Sequence, residues 1–201
     1  TASEVRYLAA DRPSDDFRLV APRESEHEYY VEHHDDRFFI RTNQGAPNFR
    51  LVSAPAADPG KASWKEVLPH RNEVMLAGMT FFQNHYVLVE REGGLPQLRV
   101  TDFRTGASHR IAFPEPVYTA GSSTNAEYET GTYRYTYQSF VTPSSVFDYD
   151  MDQRDSKLLK QTEVLGGYDP SRYQSERVWA RAEDGTRIPI SVVYRKGLAR
   201  D

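Results

Sequence analysis

The hydrophobic pattern along this chain repeats every two residues, not at the helical period of about 3.6. Aromatic and β-branched side chains are concentrated in three strong segments, Phe38–Asn43, Tyr86–Glu90 and Tyr133–Tyr137, and this pattern predicts β-strands. Turn-forming sequences such as Asp58-Pro59-Gly60 separate the segments. Because no stretch has the pattern of an amphipathic helix of three turns, we predict an almost all-β chain.

The predicted strands recur at a near-constant interval. The strongest ones begin at Phe38, Tyr86 and Tyr133, which are 48 and 47 residues apart. Each is preceded by one further strand segment and followed by two, giving units of four strands that are roughly 45–50 residues long, the size of a β-propeller blade. We place these antiparallel blades at residues 24–70, 71–116 and 117–165.

The amino-terminal residues 1–23 carry only two strand segments, Glu4–Leu8 and Phe17–Pro22. We interpret them as the last half of an incomplete blade, which brings the total to about three and a half blades. A closed propeller needs at least about four. The fold class is therefore a partial β-propeller that does not close a ring by itself, and the absence of an initial Met predicts further chain upstream.

The carboxy-terminal residues 166–201 depart from the interval and predict a β-hairpin followed by an interdomain linker. Its strands would be Arg177–Ala182 and Arg187–Tyr194. Asp184-Gly185 between them is a favoured hairpin turn. The basic, polar tail after Tyr194 predicts a connection to another domain.

Composition removes several classes of function. The chain has 201 residues with 25 Lys and Arg against 29 Asp and Glu, a formal net charge of −4, which disfavours a nucleic acid or an anionic membrane as partner. No apolar run reaches the ~20 residues of a membrane span. The absence of cysteine excludes disulfides, thiolate metal sites and cysteine nucleophiles, and favours a cytoplasmic protein. Periplasmic export is left open, because the true amino terminus is not visible.

Three short motifs suggest chemistry, but each is better explained by structure. Gly121–Asn125 approaches the G-x-S-x-G nucleophile elbow without its second Gly, and predicts a polar strand segment. In His33-His34-Asp35-Asp36, at most His33 and Asp35 share a strand face, which does not fill a zinc shell, so we expect a polar turn. Asp148–Asp152 imitates a calcium loop but lacks its later Gly and Glu. We predict no catalytic, cofactor-binding or metal site in this chain.

Two further groups of side chains have a structural and a functional interpretation. Tyr133, Tyr135 and Tyr137 share one strand face. They favour packing between blades over stacking on bases. Glu127, Glu129 and Asp148 are either solvated turn charges or the lining of a funnel for basic peptides.

Several segments resemble the oligopeptidase B branch of the prolyl oligopeptidase family of serine peptidases. The most specific likeness is in the predicted hairpin, at Tyr173, Ser175-Glu176-Arg177, Trp179-Ala180, Ala182, Asp184-Gly185, Pro189, Ser191, Val193-Tyr194 and Lys196. Blade residues also match, at Arg37-Phe38, Ile40, Thr42-Asn43, Asn48-Phe49, Thr142-Pro143, Phe147, Asp150-Met151 and Leu159–Val164. The resemblance covers essentially the whole chain.

The resemblance implies a seven-bladed propeller that caps an α/β-hydrolase domain, of which this chain would be the second half of the propeller plus the exit hairpin. The parent enzyme would cleave short peptides after Arg or Lys through a serine. The family's Ser, Asp and His all lie downstream of the linker that ends here at Asp201. The chain alone is therefore expected to be inactive.

The role implied for this chain is gating, in which the propeller admits short peptides and rejects folded proteins. Tyr194–Asp201 would form part of the hinge, with Gly197 as its pivot. The expected partners are short peptide substrates, the protein's own hydrolase domain and, through exposed apolar blade faces, further copies of the chain. The alternative is a freestanding propeller that binds a protein or peptide without enzymatic activity, which would need a complete ring.

Overall fold

A computed structural model of the protein describes residues 1–198. These residues form sixteen β-strands and two short 3₁₀ helices, Lys61–Ser63 and Pro170–Arg172. In chain order the strands are β1 (Val5–Tyr7), β2 (Arg18–Ala21), β3 (Tyr29–His34), β4 (Arg37–Thr42), β5 (Arg50–Pro55), β6 (Lys65–Leu68), β7 (Val74–Phe81), β8 (His85–Glu92), β9 (Leu95–Asp102), β10 (Ser108–Arg110), β11 (Tyr118–Ser122), β12 (Thr132–Ser139), β13 (Ser145–Asp150), β14 (Asp155–Gln161), β15 (Tyr173–Arg181) and β16 (Arg187–Arg195).

Twelve of these strands form three four-stranded antiparallel sheets, and in each sheet spatial order follows chain order. The first sheet is β3–β6, the second β7–β10 and the third β11–β14. β1 pairs with β2, and β15 pairs with β16. The predicted partial propeller of three blades, a half blade and a hairpin is confirmed. Within the described residues no helix could serve as a membrane span.

Strand ends differ from the sequence expectation where tertiary contacts decide them. The hairpin begins at Tyr173 and not at Arg177, because its ladder continues to a pair between Tyr173 and Arg195. β10 ends at Arg110, whereas the pattern of residues predicts a strand over His109–Phe113. Phe113 instead leaves the sheet, and its ring centroid lies 4.6 Å from that of Tyr118 in the third sheet.

The core lies between the sheets, as blade packing requires. Tyr133, Tyr135 and Tyr137 are 0%, 3% and 3% exposed, and they pack against second-sheet residues such as Val87 and Leu98. The predicted packing of these tyrosines between blades is confirmed. A second cluster joins the first and second sheets, and a third joins the β1–β2 pair to the first sheet.

The expectation that the outermost blades expose apolar faces is wrong for the third sheet. Side chains on β12 that alternate with the buried tyrosines point away from the second sheet and are exposed: Thr132, Arg134, Thr136 and Gln138. Arg134 on this face pairs with Asp148, with 2.7 Å between Nε and Oδ1. Buried and exposed side chains alternate along β12 because, within the described residues, only one face of the third sheet packs against another sheet. Self-association stays a prediction.

The loops that join the strands lie at two opposite ends of the sheets. The hairpin face carries the β4–β5, β8–β9 and β12–β13 connections and the links between successive sheets. The far face carries the β3–β4, β7–β8 and β11–β12 connections. The exit hairpin lies on the hairpin face.

Candidate functional site

The exit hairpin, β15–β16, and the segment just before it each contact one turn of the hairpin face. The Arg177 guanidinium donates a hydrogen bond to the backbone carbonyl of Gly93 in the β8–β9 turn. The Tyr168 hydroxyl, just before the hairpin, donates to the carbonyl of Val141 in the β12–β13 turn at 2.8 Å. The hairpin therefore spans the ends of the second and third sheets.

A groove lies between the hairpin and the third sheet, and we call it the hairpin groove. It consists of two cavities of about 240 and 530 Å³ on either side of Phe140, whose surface is 56% exposed. Its other walls are mostly aromatic and aliphatic, and they include Tyr118, Tyr168, Tyr173 and Val193. Concave, largely apolar surfaces of this size suit a peptide side chain or a segment of another domain.

Hydrogen bonds hold the turn that presents Phe140. The amides of Val141 and Thr142 donate to Ser139 Oγ at 3.1 and 2.9 Å. The side chain of Thr142 donates to Glu115, which also accepts from the Tyr137 hydroxyl. Glu115 is thus engaged within the chain, and the aromatic wall of the groove is fixed in place.

A buried carboxylate organises the hairpin end of the second sheet. Glu90 is fully buried and accepts hydrogen bonds from Arg71, Arg99 and Arg110. A carboxylate is retained at such a site only when it is paired, because burial of a lone charge is costly. Arg110 also pairs with Glu92 at 2.6 Å. With Glu90, Glu92 and Glu115 all engaged by partners in the chain, these carboxylates are poor candidates for holding a basic substrate.

The His33–Asp36 motif lies at the far face. Asp35 and Asp36 form the β3–β4 turn, with a φ of 53° at Asp35. His34 is buried, stacks on Phe103 with ring centroids 4.0 Å apart and donates from Nε2 to the Gln83 carbonyl at 3.0 Å. This histidine joins the first sheet to the second.

The predicted funnel residues also lie towards the far face, on the side opposite the hairpin. Glu127 and Asp148 line a polar cavity of about 330 Å³ together with Arg134. The Arg134 guanidinium pairs with Asp148 and lowers the pKa of that carboxyl. Asp150 Oδ1 accepts from the amide of Asp152 at 3.0 Å, which closes the turn that imitates a calcium loop.

One group of potential metal ligands was missed by the sequence analysis. His85, Asp102 and Asp152 bring ligand atoms within 4.8 Å of one another. No spacing signal could reveal it, because the residues come from two sheets. The Arg104 guanidinium donates to both carboxylates and supplies the positive charge there. A cation would have to displace Arg104, so the donor set does not fit a metal as it stands.

The near-match to a nucleophile elbow is a strand end. Ser122 is the last residue of β11, and its hydroxyl donates to the carbonyl of Ser123 at 3.2 Å. Asn125 Nδ2 donates to Ser122 Oγ at 3.2 Å. The segment therefore lacks the strand-to-helix turn on which a hydrolase serine is presented.

With this geometry in hand, the comparisons with known proteins decide the family. The model of a family described as "Prolyl oligopeptidase, N-terminal beta-propeller domain" matches residues 1–162. The chain belongs to the prolyl oligopeptidase family. The match ends just after β14, so the exit hairpin lies beyond the propeller part of the family.

Curated relatives are peptidases several times longer than this chain. Dipeptidyl aminopeptidase BI of Pseudoxanthomonas mexicana is 41% identical over 202 residues, which cover 100% of this chain and 28% of the relative. Protease 2 of Moraxella lacunata is 32% identical, with 98% of this chain and 28% of the relative covered. The chain thus spans somewhat more than a quarter of these family members.

Solved structures of oligopeptidase B share the fold, hairpin included. The enzyme from Trypanosoma brucei in its closed form, with covalently bound antipain, gives a TM-score of 0.86 at 27% identity, covering 98% of this chain and 29% of that one. Oligopeptidase B from Leishmania major gives 0.82 at 29% identity, covering 98% and 32%. The resemblance found in the sequence is confirmed.

Proposed function

We propose that this chain is the substrate-gating part of a serine peptidase that cleaves short peptides. The observation that carries the proposal is the family match over residues 1–162, with relatives of which the chain covers only 28%. The remaining length of such a protein has room for the α/β-hydrolase domain that holds the catalytic serine. The chain itself supplies no nucleophile in our proposal, and alone it is inactive.

The rigidity of the blades and the position of the exit hairpin support a gating role. The inter-sheet cores make the blades rigid, and the hairpin leads from them towards the following domain. A folded protein would be too wide to pass a rigid ring, whereas an extended peptide would reach the hairpin face. We also propose that the hairpin lies as in a closed enzyme, since the closed Trypanosoma brucei structure superposes with a TM-score of 0.86.

Cleavage after Arg or Lys is the specificity we propose, supported by the likeness to oligopeptidase B. The carboxylates of the hairpin face that we have described are already engaged, by arginines at Glu90 and by hydroxyls at Glu115. The acidic groups that recognise a basic side chain would therefore belong to the hydrolase domain. The propeller would limit access and complete the cleft.

A second candidate is the release of dipeptides from the amino terminus of a peptide. The 41% identity to a dipeptidyl aminopeptidase favours it, since this exceeds the 32% identity to protease 2. Such an enzyme must bind the free α-amino group of its substrate. An enzyme that cleaves within peptides has no such requirement.

The test uses the intact polypeptide that carries this chain and three matched fluorogenic peptides. The first has a free amino terminus followed by one residue and Arg, the second is its acetylated form, and the third has Ala in place of Arg. Cleavage of both Arg peptides supports the endopeptidase proposal, and cleavage of the free form alone supports dipeptide release. Equal cleavage of the Ala peptide contradicts the Arg specificity, and no cleavage of any peptide favours the freestanding scaffold.

A further inference from the structure

The β8–β9 turn has a backbone that suits close contact with another segment. It consists of Gly93 and Gly94, whose φ angles are +54° and +81°. Two successive residues with positive φ are typical of a tight hairpin turn, and glycine adopts them without strain. The turn therefore exposes its peptide groups directly, with no side chains of its own to cover them.

The exit hairpin fits against these two glycines. The Arg177 guanidinium donates to the carbonyl of Gly93. A Cβ atom on Gly94 would lie 2.9 Å from Arg177 Nη2 and 3.5 Å from Pro189 Cγ, and one on Gly93 would lie 3.9 Å from Trp179 Cη2. A side chain at Gly94 would have to displace the hairpin's own groups.

The hairpin's half of the contact is a single patch built from both of its strands. Trp179 on β15 and Pro189 on β16 are paired in the ladder. The guanidinium carbons of Arg177 and Arg187 lie 5.3 and 4.4 Å from the centroid of the Trp179 ring. Cation–π stacking orders these side chains, so that the patch meets the turn as one unit.

The link that precedes the hairpin bends at two glycines. Gly166 and Gly167 have φ angles of +82° and +71°, and a Cβ on either would meet no heavy atom within 4 Å. Leu165 beside them is 89% exposed. Tyr168, which follows these glycines, bonds to the Val141 carbonyl, so the glycines lie between the third sheet and that bond. A small docking contact beside such a bend has two natural arrangements, docked and released.

We propose that the Gly93-Gly94 turn is a latch for the exit hairpin. Docking of Arg177, Trp179 and Pro189 on the turn holds the hairpin, and the domain it leads into, against the hairpin face. Release of Arg177 from the Gly93 carbonyl uncovers the hairpin groove. The docking is inferred from the geometry alone, whereas the effect of the latch on peptide turnover rests on the proposed function.

Hydrogen exchange of the intact polypeptide tests the docking without reference to activity. In Arg177→Ala, the amides of residues 92–95 and 163–168 should exchange at least about three-fold faster, because their local opening becomes easier. Arg181→Ala is the matched control, since Arg181 is exposed on the same strand, and Arg177→Lys should restore most of the protection. Equal exchange in Arg177→Ala and Arg181→Ala would overturn the latch.

A covalent lock tests what the latch does. The chain has no cysteine of its own, so Gly94→Cys with Pro189→Cys introduces one pair, and each single variant serves as a control. Oxidation of the pair should reduce peptide turnover at least about tenfold, and reductant should restore it. If the exchange result holds but the locked enzyme keeps full turnover, the docking is upheld and the gating role is contradicted.

Discussion

The far face and the hairpin face are held together in different ways. On the far face, contacts cross from sheet to sheet: the Tyr128 carbonyl in the third sheet's long loop accepts from the amide of Gln83 at 3.0 Å, and His34 stacks on Phe103. On the hairpin face, Arg177 of the exit hairpin bonds to the β8–β9 turn and Tyr168, just before the hairpin, bonds to the β12–β13 turn, and both side chains are partly exposed. Contacts between sheets also occur on the hairpin face, where the amide of Leu76 donates to the Asn48 carbonyl at 2.9 Å. The two faces therefore differ in the exit hairpin, which lies on the hairpin face alone and which we propose can separate from it.

The largest expected difference is in the loss of stability when one phenylalanine on each face is replaced by alanine. The Phe103 ring lies 4.0 Å from that of His34, 4.9 Å from Tyr86 and 5.7 Å from Phe39 between centroids. Phe103→Ala should lower the free energy of unfolding by about 2–4 kcal/mol, because it opens a cavity between two sheets. Urea unfolding of the chain, followed by circular dichroism, measures the change.

The matched control is Phe140→Ala on the hairpin face. Phe140 is 56% exposed, so its removal should cost less than about 1 kcal/mol. Equal losses in the two variants would show that the far face is no more firmly packed than the hairpin face.

A buried tyrosine near the far face should make the chain sensitive to alkali. Burial raises the pKa of Tyr133 to about 12, whereas the unfolded state ionises near pH 10. The stabilisation is fully present below about pH 10 and is lost as the pH rises towards 12, because only the unfolded state then releases the proton. Relative to Tyr133→Phe, the wild type should lose roughly 1–3 kcal/mol over this range.

Only the difference in stability between the wild type and Tyr133→Phe is needed, because the other tyrosines titrate in both proteins. Their unfolding midpoints are measured in parallel from pH 9 to 12. A constant difference across the range would mean that the Tyr133 hydroxyl is solvated in the folded chain.

The smallest effect concerns the ion pair between Asp102 and Arg104, at the far-face end of the second sheet. Asp102 accepts from Arg104 Nε at 3.0 Å and from Nη2 at 2.9 Å, and these bonds hold the pKa of Asp102 well below its usual range. The stabilisation is present above the unfolded pKa of about 3.9 and is lost as the pH falls below it towards the folded pKa. The thermal midpoint of Arg104→Ala should be lower than that of the wild type at neutral pH, and the gap should narrow in acid.

Arg110→Ala provides a charge-matched comparison for Arg104, since it removes one arginine from Glu90 at the other end of the same sheet. Thermal melts of both variants from pH 7 to 2 show whether acid narrows the gap. A gap for Arg104→Ala that does not change with pH would contradict the role given to Asp102.

The features of the structure that could be predicted from the sequence are those that local sequence determines. The two-residue period of Tyr133, Tyr135 and Tyr137 was enough to predict their burial, because strand alternation alone sets which face they share. The same alternation also indicates that the outer face of β12 is polar, although we expected the end faces of the blades to be apolar. The Asp184-Gly185 turn followed from local chemistry.

The contacts that join the sheets could not be predicted in this way. His34 meets Phe103, and Arg104 meets Asp152, only after the sheets are placed side by side. The docking of Arg177 on Gly93 likewise joins a hairpin to a turn 84 residues earlier in the chain. The resemblance identified the family, while the geometry of the hairpin face came from the structure alone.

The most direct test of the account is labelling with a serine-reactive phosphonate. The intact polypeptide and the isolated chain of 201 residues are treated in parallel, and mass spectrometry locates the label. The account predicts one labelled serine, beyond residue 198 of this sequence, and no label on the isolated chain. A label on a serine within residues 1–198, or an intact polypeptide that never reacts, would contradict it.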